Sequence, residues 1–305
     1  MSTQVFVDGA EGTTGLEIRE RLTGRDEFAL VTLPDDRRKD AAARREAINA
    51  ADVVILCLPD AAAKEAVAMI DNATTRVIDA STAHRVANGW TYGFPELGFD
   101  VANARFVSNP GCYPTGFLAL VAPLVKAGLV PADWPLSVNA VSGYSGGGKS
   151  LIARFDAEPD LAFRAYGYAL GHKHVPEMQR HAGLAHPPLF APSVVRGFRG
   201  MIVEVPLPLA LLPGRPTRAA LVEALAAFFD GAPLVRVHDD TPDELTMAVD
   251  APPSDLLDLY VFADADDRQA RLVAVLDNLG KGASGAAVQS LNLMAGLEPT
   301  AGLNV

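Results

Sequence analysis

The chain has almost no cysteine: two in 305 residues, Cys57 and Cys112. So few thiols exclude a disulfide framework, and their distance apart in the sequence excludes the close thiol pairs of a structural metal site. No metal is expected, and the compartment expected is a reducing cytoplasm. Cations are also short, with 26 Lys and Arg against 37 Asp and Glu and a formal net charge of −11. A nucleic-acid or anionic-membrane surface needs the opposite balance, so neither partner is expected and an anionic ligand must be held by local groups. No run approaches the ~18 apolar residues of a membrane span. The first residues show no basic stretch before an apolar core, and nothing repeats at a solenoid period. Apolar residues, by contrast, are plentiful at 49%, against 21% charged. That is material for a packed interior, and the length suits two domains.

The chain is organised around SNPGCYPT at residues 108–115, followed at once by an apolar helical run. Cys112 stands between a Pro-Gly turn and the start of that helix, where unpaired backbone N–H groups and the positive end of the helix dipole favour an anion. A thiol with a pKa of ~8.5 can fall to ~3.5–7.5 in such a place and attack carbonyl carbon. A lone cysteine is more often a small buried apolar residue; the polar, turn-rich surroundings of Cys112 favour the nucleophile.

From the N-terminus, residues 4–8 read as a buried strand. Gly9, Gly12 and Gly15 follow in GAEGTTG, with Thr13 and Thr14 between them, and then a helix over 16–22. Strand, glycine turn and helix make a phosphate-cradling unit, although its spacing departs from GxGxxG. A second strand at 28–33 leads to Asp35-Asp36-Arg37-Arg38-Lys39, roughly the ~20-residue interval at which a dinucleotide fold reads the ribose. Basic groups there suit a 2′-phosphate and favour NADP over NAD; a solvated loop is the alternative. Residues 51–59 form a nearly continuous apolar strand containing Cys57, read as core. A helix at 61–70, a strand at 76–79 ending in Ser81, and a last strand at 106–108 complete a doubly wound parallel sheet. Cys112 then emerges at the same carboxyl edge as the glycine loop, so thiol and cofactor are expected to share one cleft.

Beyond the loop at 131–135 the pattern changes. Strands at 136–141, 201–209, 258–263 and 271–277, with a helix near 217–229, read as an α+β domain on a mixed sheet, with a face available for self-association. SGYSGGGKS at 142–150 lacks the GxxxxGK[ST] spacing and is read as a substrate-facing loop. GHKHVPE at 171–177 sets His172 and His174 before a helix opened by Pro176, with Glu177 in its first turn. A histidine beside a cysteine can accept its proton and return it; zinc lacks further ligands here. NLGKGASG at 278–285 opens a final helix at 286–294 able to pack against the first domain.

Together, GAEGTTG, CLPDAAA, DASTAHR, SNPGCYPT, SGYSGGGKS, GHKHVPE, FRG and NLGKGASG resemble the compact branch of the N-acetyl-gamma-glutamyl-phosphate reductases, within the semialdehyde dehydrogenases. The resemblance implies an NADPH-dependent reduction of N-acetyl-gamma-glutamyl phosphate to the 5-semialdehyde through a Cys112 thioester, with phosphate released, in arginine biosynthesis. It implies His172, His174 and Glu177 as the histidine motif, either histidine being the acid/base, and Asn109 with the Cys112 backbone N–H as oxyanion donors. Ser145 and Arg199 are implied for substrate. Gly9, Gly12, Thr13, Thr14, Gly15, Arg37, Arg38, Lys39, Pro59, Ser81, Gly282 and Ala283 are implied for NADP(H). The expected domains are 1–112 joined by the C-terminal helix 284–305, and 113–283 for catalysis and oligomerisation as a homodimer or homotetramer. Rival readings are an aspartate-semialdehyde dehydrogenase-like enzyme, a cofactor-independent cysteine hydrolase or acyltransferase, and a non-catalytic dinucleotide sensor.

Overall fold

The structure is a computed structural model that describes residues 2–305. It divides into two compact units, one of residues 2–110 with 283–303, the other of residues 111–282 with 304–305.

The first unit alternates strand and helix: β1 (Thr3–Asp8), α1 (Thr13–Leu22), β2 (Phe28–Val31), α2 (Ala41–Ala50), β3 (Val53–Leu56), α3 (Asp60–Ala68), β4 (Arg76–Asp79), β5 (Thr91–Tyr92) and β6 (Phe106–Ser108). The strands are all parallel in the order β2-β1-β3-β4-β6-β5. The order in which strands are added reverses between β1 and β3, and such a switch point opens a crevice at the carboxyl ends of the strands. Successive side chains of a strand face opposite ways. Accordingly Val5, Val7, Val53 and Ile55 join Ile18 and Leu22 of α1 on one face, while Phe6, Val54 and Leu56 join Ala47, Ile48 and Ala63 of α2 and α3 on the other. Each fully buried aliphatic contributes about 1.5–3 kcal/mol, so the near-continuous apolar strands follow from burial on both faces.

The structure departs from or adds to the sequence reading in three places. The second strand stops at Val31 rather than residue 33. Cys57 lies one residue beyond β3, partly buried and packed against the core as expected. Residues 41–50, which carry no marked apolar stripe, form α2, capped by Asp40, whose Oδ1 accepts from Ala43 N at 2.7 Å.

The second unit begins with α4 (Cys112–Lys126) and continues through β7 (Ser137–Gly143), α5 (Gly148–Ala157), β8 (Phe163–Ala165), α6 (Val175–Ala182), β9 (Leu189–Val195), β10 (Met201–Leu207), α7 (Arg218–Phe228), β11 (Val235–His238), β12 (Leu257–Ala263) and β13 (Ala270–Leu276). Its seven strands form a mixed sheet in the order β11-β12-β13-β10-β7-β9-β8. The glycine-rich stretch read as a loop is a 3-10 turn at Tyr144–Gly147 running into α5. Helices α4 and α7 cover one face of the sheet. The other carries the half-buried row Val141, Ile202, Val275 and Asp258 across neighbouring strands. After β13 a π-helical turn at Gly280–Ser284 leads to α8 (Gly285–Met294). There Ala287, Val288 and Leu291 pack into the first unit's core with Val5, Ile78 and Val107. Among the described residues no helix is long and apolar enough to cross a membrane.

Candidate active site

In the first unit the three loop glycines have distinct reasons. Gly9 has φ +86°, and a Cβ there would stand 2.3 Å from the Cys57 carbonyl oxygen. A Cβ on Gly15 would meet Gly9 O at 2.6 Å, so its absence lets α1 start hard against the turn. Gly12 has neither constraint: its φ is −73° and its nearest neighbour would be at 3.5 Å. It is the N-cap of α1 and brings no side-chain cap, while Thr13 and Thr14 open the helix with no acidic residue in the first turn. Backbone donors at such a helix start fit a dinucleotide's pyrophosphate.

The basic run divides. Arg38 reaches back to the loop, its Nη1 lying 3.0 Å from Glu11 Oε1 and 3.6 Å from Asp35 Oδ1, whereas Arg37 and Lys39 are exposed. Beside them Arg44, which sequence reasoning missed, holds the buried Asp8 carboxylate at 2.8 Å. Pro59 is exposed at the N-cap of α3. The Ser81 hydroxyl donates to Asp79 Oδ2 at 2.8 Å, so it serves the turn after β4. Asp79 is fully buried and also meets His84 Nδ1 at 2.6 Å, with the imidazole stacked on Trp90 at 4.0 Å. Burial, then the Asp79 and Asp8 charges, push the Cys57 thiol up to about 12, which leaves it protonated and unreactive at neutral pH.

Asn109 follows β6 and differs from the expected oxyanion donor. Its Nδ2 donates to Ala283 O at 2.9 Å, and its buried Oδ1 has no hydrogen-bond partner. What the side chain has left over is an acceptor.

In the second unit Cys112 is the first residue of α4, half-buried, with Gly111 as N-cap and no side-chain cap. Gly111 N instead donates to Glu177 Oε2 at 3.2 Å. That carboxylate, 1% exposed, comes from the first turn of α6. His174 is the N-cap residue of α6, buried, its Nε2 3.9 Å from Glu177 Oε1, a charge contact too long for a hydrogen bond. His172 differs. Its Nδ1 accepts the His174 backbone N–H at 3.2 Å, and its ring packs edge-on against Phe190 at 5.0 Å and His174 at 4.7 Å. Burial and the neighbouring Lys173 charge lower its pKa to about 4. It is neutral at pH 7, with the proton on Nε2. Tyr113 donates to Ser193 O at 3.1 Å and accepts from Tyr166 OH at 3.4 Å. Desolvation first, then the Cys112 charge, raises the pKa of Tyr166, so it stays a neutral donor.

Gly282 lies against the thiol: a Cβ there would be 2.9 Å from Cys112 Cβ. Its N–H donates to Asp277 O at 2.9 Å, and Asp277 Oδ2 binds Arg199 Nη1 at 2.8 Å. Arg199 thus pairs with a buried carboxylate that anchors the turn beneath Cys112. Ser145, also buried, accepts from Asn278 Nδ2 at 2.9 Å, and Asn278 Oδ1 accepts from Gly200 N at 2.9 Å. Both candidate substrate ligands brace the 277–282 turn. Asp277 and Asn278 escaped sequence reasoning because they stand 78 residues from Arg199 and Gly200.

Residues 4–104 match the family model described as semialdehyde dehydrogenase, NAD binding domain, and residues 112–278 that described as semialdehyde dehydrogenase, dimerisation domain. In fold the chain is similar to aspartate semialdehyde dehydrogenase II from Vibrio cholerae, with a TM-score of 0.71 over 96% of this chain and 98% of that one at 19% identity. It is 48% identical to N-acetyl-gamma-glutamyl-phosphate reductase of Trichormus variabilis, over 98% of the chain and 99% of the relative. It is 52% identical to that of Burkholderia ambifaria over 96% of both chains, and 49% identical to that of Brucella ovis over 97% of this chain and 100% of the relative. A cysteine opening a helix, a close-packed glycine turn between β1 and α1 and this identity along the whole length place the chain in the N-acetyl-gamma-glutamyl-phosphate reductase family of the semialdehyde dehydrogenases.

Proposed function

We propose that the chain reduces N-acetyl-gamma-glutamyl phosphate to N-acetyl-glutamate 5-semialdehyde, using NADPH and releasing inorganic phosphate, as a cytoplasmic step of arginine biosynthesis. The observation that carries this reading is Cys112 as the first residue of α4, with no side-chain cap and no acidic residue in the first turn. There the positive end of the helix dipole favours the thiolate.

Cys112 sulfur attacks the acyl carbon, the tetrahedral adduct expels phosphate, and a thioester remains. His174 takes the thiol proton and passes it to the departing phosphate. The Cys112 backbone N–H faces the oxyanion that forms on the acyl carbon, and a donor so placed contributes ~2.7–4 kcal/mol. The nicotinamide cofactor, when bound, supplies the hydride that reduces the thioester. The reduced adduct then expels Cys112 as thiolate, which regains a proton through His174, and the aldehyde leaves. His172, whose acceptor nitrogen Nδ1 already takes the His174 backbone N–H, holds the 172–174 turn and leaves the proton work to His174. Glu177 fixes α6 to the start of α4 through Gly111.

The glycine loop and the start of α1 fit the cofactor's pyrophosphate, and Arg38, beside the loop, fits a 2′-phosphate and favours NADP. A second copy is proposed to cover the half-buried row of the mixed sheet, giving a homodimer. The test is NADP⁺ reduction with N-acetyl-glutamate 5-semialdehyde and inorganic phosphate, run beside aspartate semialdehyde and NAD⁺. Phosphate-dependent turnover with the acetylated aldehyde and NADP⁺ is expected; turnover with aspartate semialdehyde alone would overturn the substrate.

A further inference from the structure

Asn109 is fixed at every polar atom described for it but one. Its backbone N donates to Asp79 O at 2.8 Å, and its backbone O accepts from the Arg85 guanidinium at 2.9 Å. Its Nδ2 donates to Ala283 O at 2.9 Å, and the residue is 1% exposed. The reverse assignment of the amide would set two acceptor oxygens face to face at that distance, so the orientation is determined. The remaining atom, Oδ1, is buried and has no partner. An unsatisfied buried acceptor costs about 1–3 kcal/mol, and native proteins rarely leave one without a use.

We propose that Asn109 Oδ1 accepts a hydrogen bond from the carboxamide N–H₂ of the nicotinamide, fixing which face of the ring is presented; this rests on the cofactor reading given above. Oδ1 calls for a hydrogen-bond donor, and the carboxamide N–H₂ is the donor carried by the nicotinamide ring itself. Position agrees. Asn109 follows β6, three strand spacings along the carboxyl edge from β1 and its glycine loop, about 14 Å. With the adenosine ribose at the end of β2, where Arg38 stands, a dinucleotide crossing the switch point would extend its nicotinamide half towards β6.

The test compares dissociation constants, by fluorescence titration without substrate, for NADP⁺ and its 3-acetylpyridine analogue, in which a methyl ketone replaces the amide. The wild-type chain is expected to prefer NADP⁺ by about tenfold, the worth of one such bond, and Asn109→Ala to bind both within about twofold of each other. This ratio cancels any general loosening caused by the substitution. As a second measurement, NADP⁺ labelled with ¹⁵N at the carboxamide should show one amide proton shifted and slowed in exchange on binding the unsubstituted chain. A preference unchanged in Asn109→Ala, or an amide that exchanges freely when bound, overturns the assignment while leaving cofactor binding intact. If neither dinucleotide binds the wild-type chain, the cofactor reading falls and this assignment with it.

Discussion

A methyl group at position 282 would stand 2.9 Å from Cys112 Cβ and 3.0 Å from Asp277 O, a backbone atom already bonded to Gly282 N. Neither neighbour is the loose end of a side chain, because Cys112 Cβ moves only with the backbone, so the start of α4 must shift and carry the thiol with it. Gly282→Ala is therefore expected to cost about 1–3 kcal/mol of stability and to lower turnover by at least tenfold, read by thermal denaturation and initial rates together. His172 gives a prediction of a different kind. Its pKa falls from 6.5 to about 4 on folding, so between those values the unfolded chain binds the extra proton. Its contribution to stability is fully present above pH 6.5 and declines as pH falls towards 4. Urea midpoints measured across that window should fall less steeply for His172→Asn than for the wild type; parallel curves would contradict a histidine held neutral. At this scale the sequence was partly legible. Pro110-Gly111 before an apolar run announces Cys112 as a helix-starting thiol. Nothing local announces that Arg199 pairs with Asp277 or that Ser145 serves Asn278, because those partners meet only through the folded sheet.

Among the elements, the turn between β1 and α1 separates packing from ligand approach. Gly9→Ala combines a left-handed φ with a 2.3 Å clash against backbone, and is expected to destabilise the first unit by about 2–4 kcal/mol and to abolish NADPH binding. Gly12→Ala meets nothing closer than 3.5 Å in an ordinary extended conformation. It should leave stability within about 0.5 kcal/mol yet weaken NADPH at least tenfold, since its Cβ would occupy the space a pyrophosphate needs. Calorimetric titration beside denaturation tells the two apart. The parallel sheet was readable because strands buried on both faces are nearly all apolar. Helix α2 was not, since Ala41–Ala50 owes its start to the Asp40 cap rather than to an apolar stripe. Strand β9 was hidden by Pro192, which lies just past the last β8 pair, Ala165 with Ser193, and there only accepts, from Tyr166 N at 3.3 Å.

On the scale of the whole molecule, the mixed sheet leaves Val141, Ile202 and Val275 half-buried in a row on the face away from α4 and α7. Ile202→Asp is expected to convert a dimer to monomers in sedimentation equilibrium with little change in NADPH affinity; an unchanged mass would remove this face from the assembly. The sequence expects the last helix to rejoin the first domain, and in the structure residues 283–303, α8 among them, belong to the first unit after the turn at Gly280–Ser284. The central claim is covalent chemistry at Cys112. The measurement that meets it most directly is intact mass and peptide mapping after mixing the chain with N-acetyl-gamma-glutamyl phosphate in the absence of NADPH. One N-acetyl-glutamyl group on the peptide carrying Cys112, absent in Cys112→Ser and discharged as aldehyde when NADPH is added, is the predicted result. Phosphate release with Cys112 unmodified, or aldehyde formation by Cys112→Ser at the wild-type rate, would contradict it.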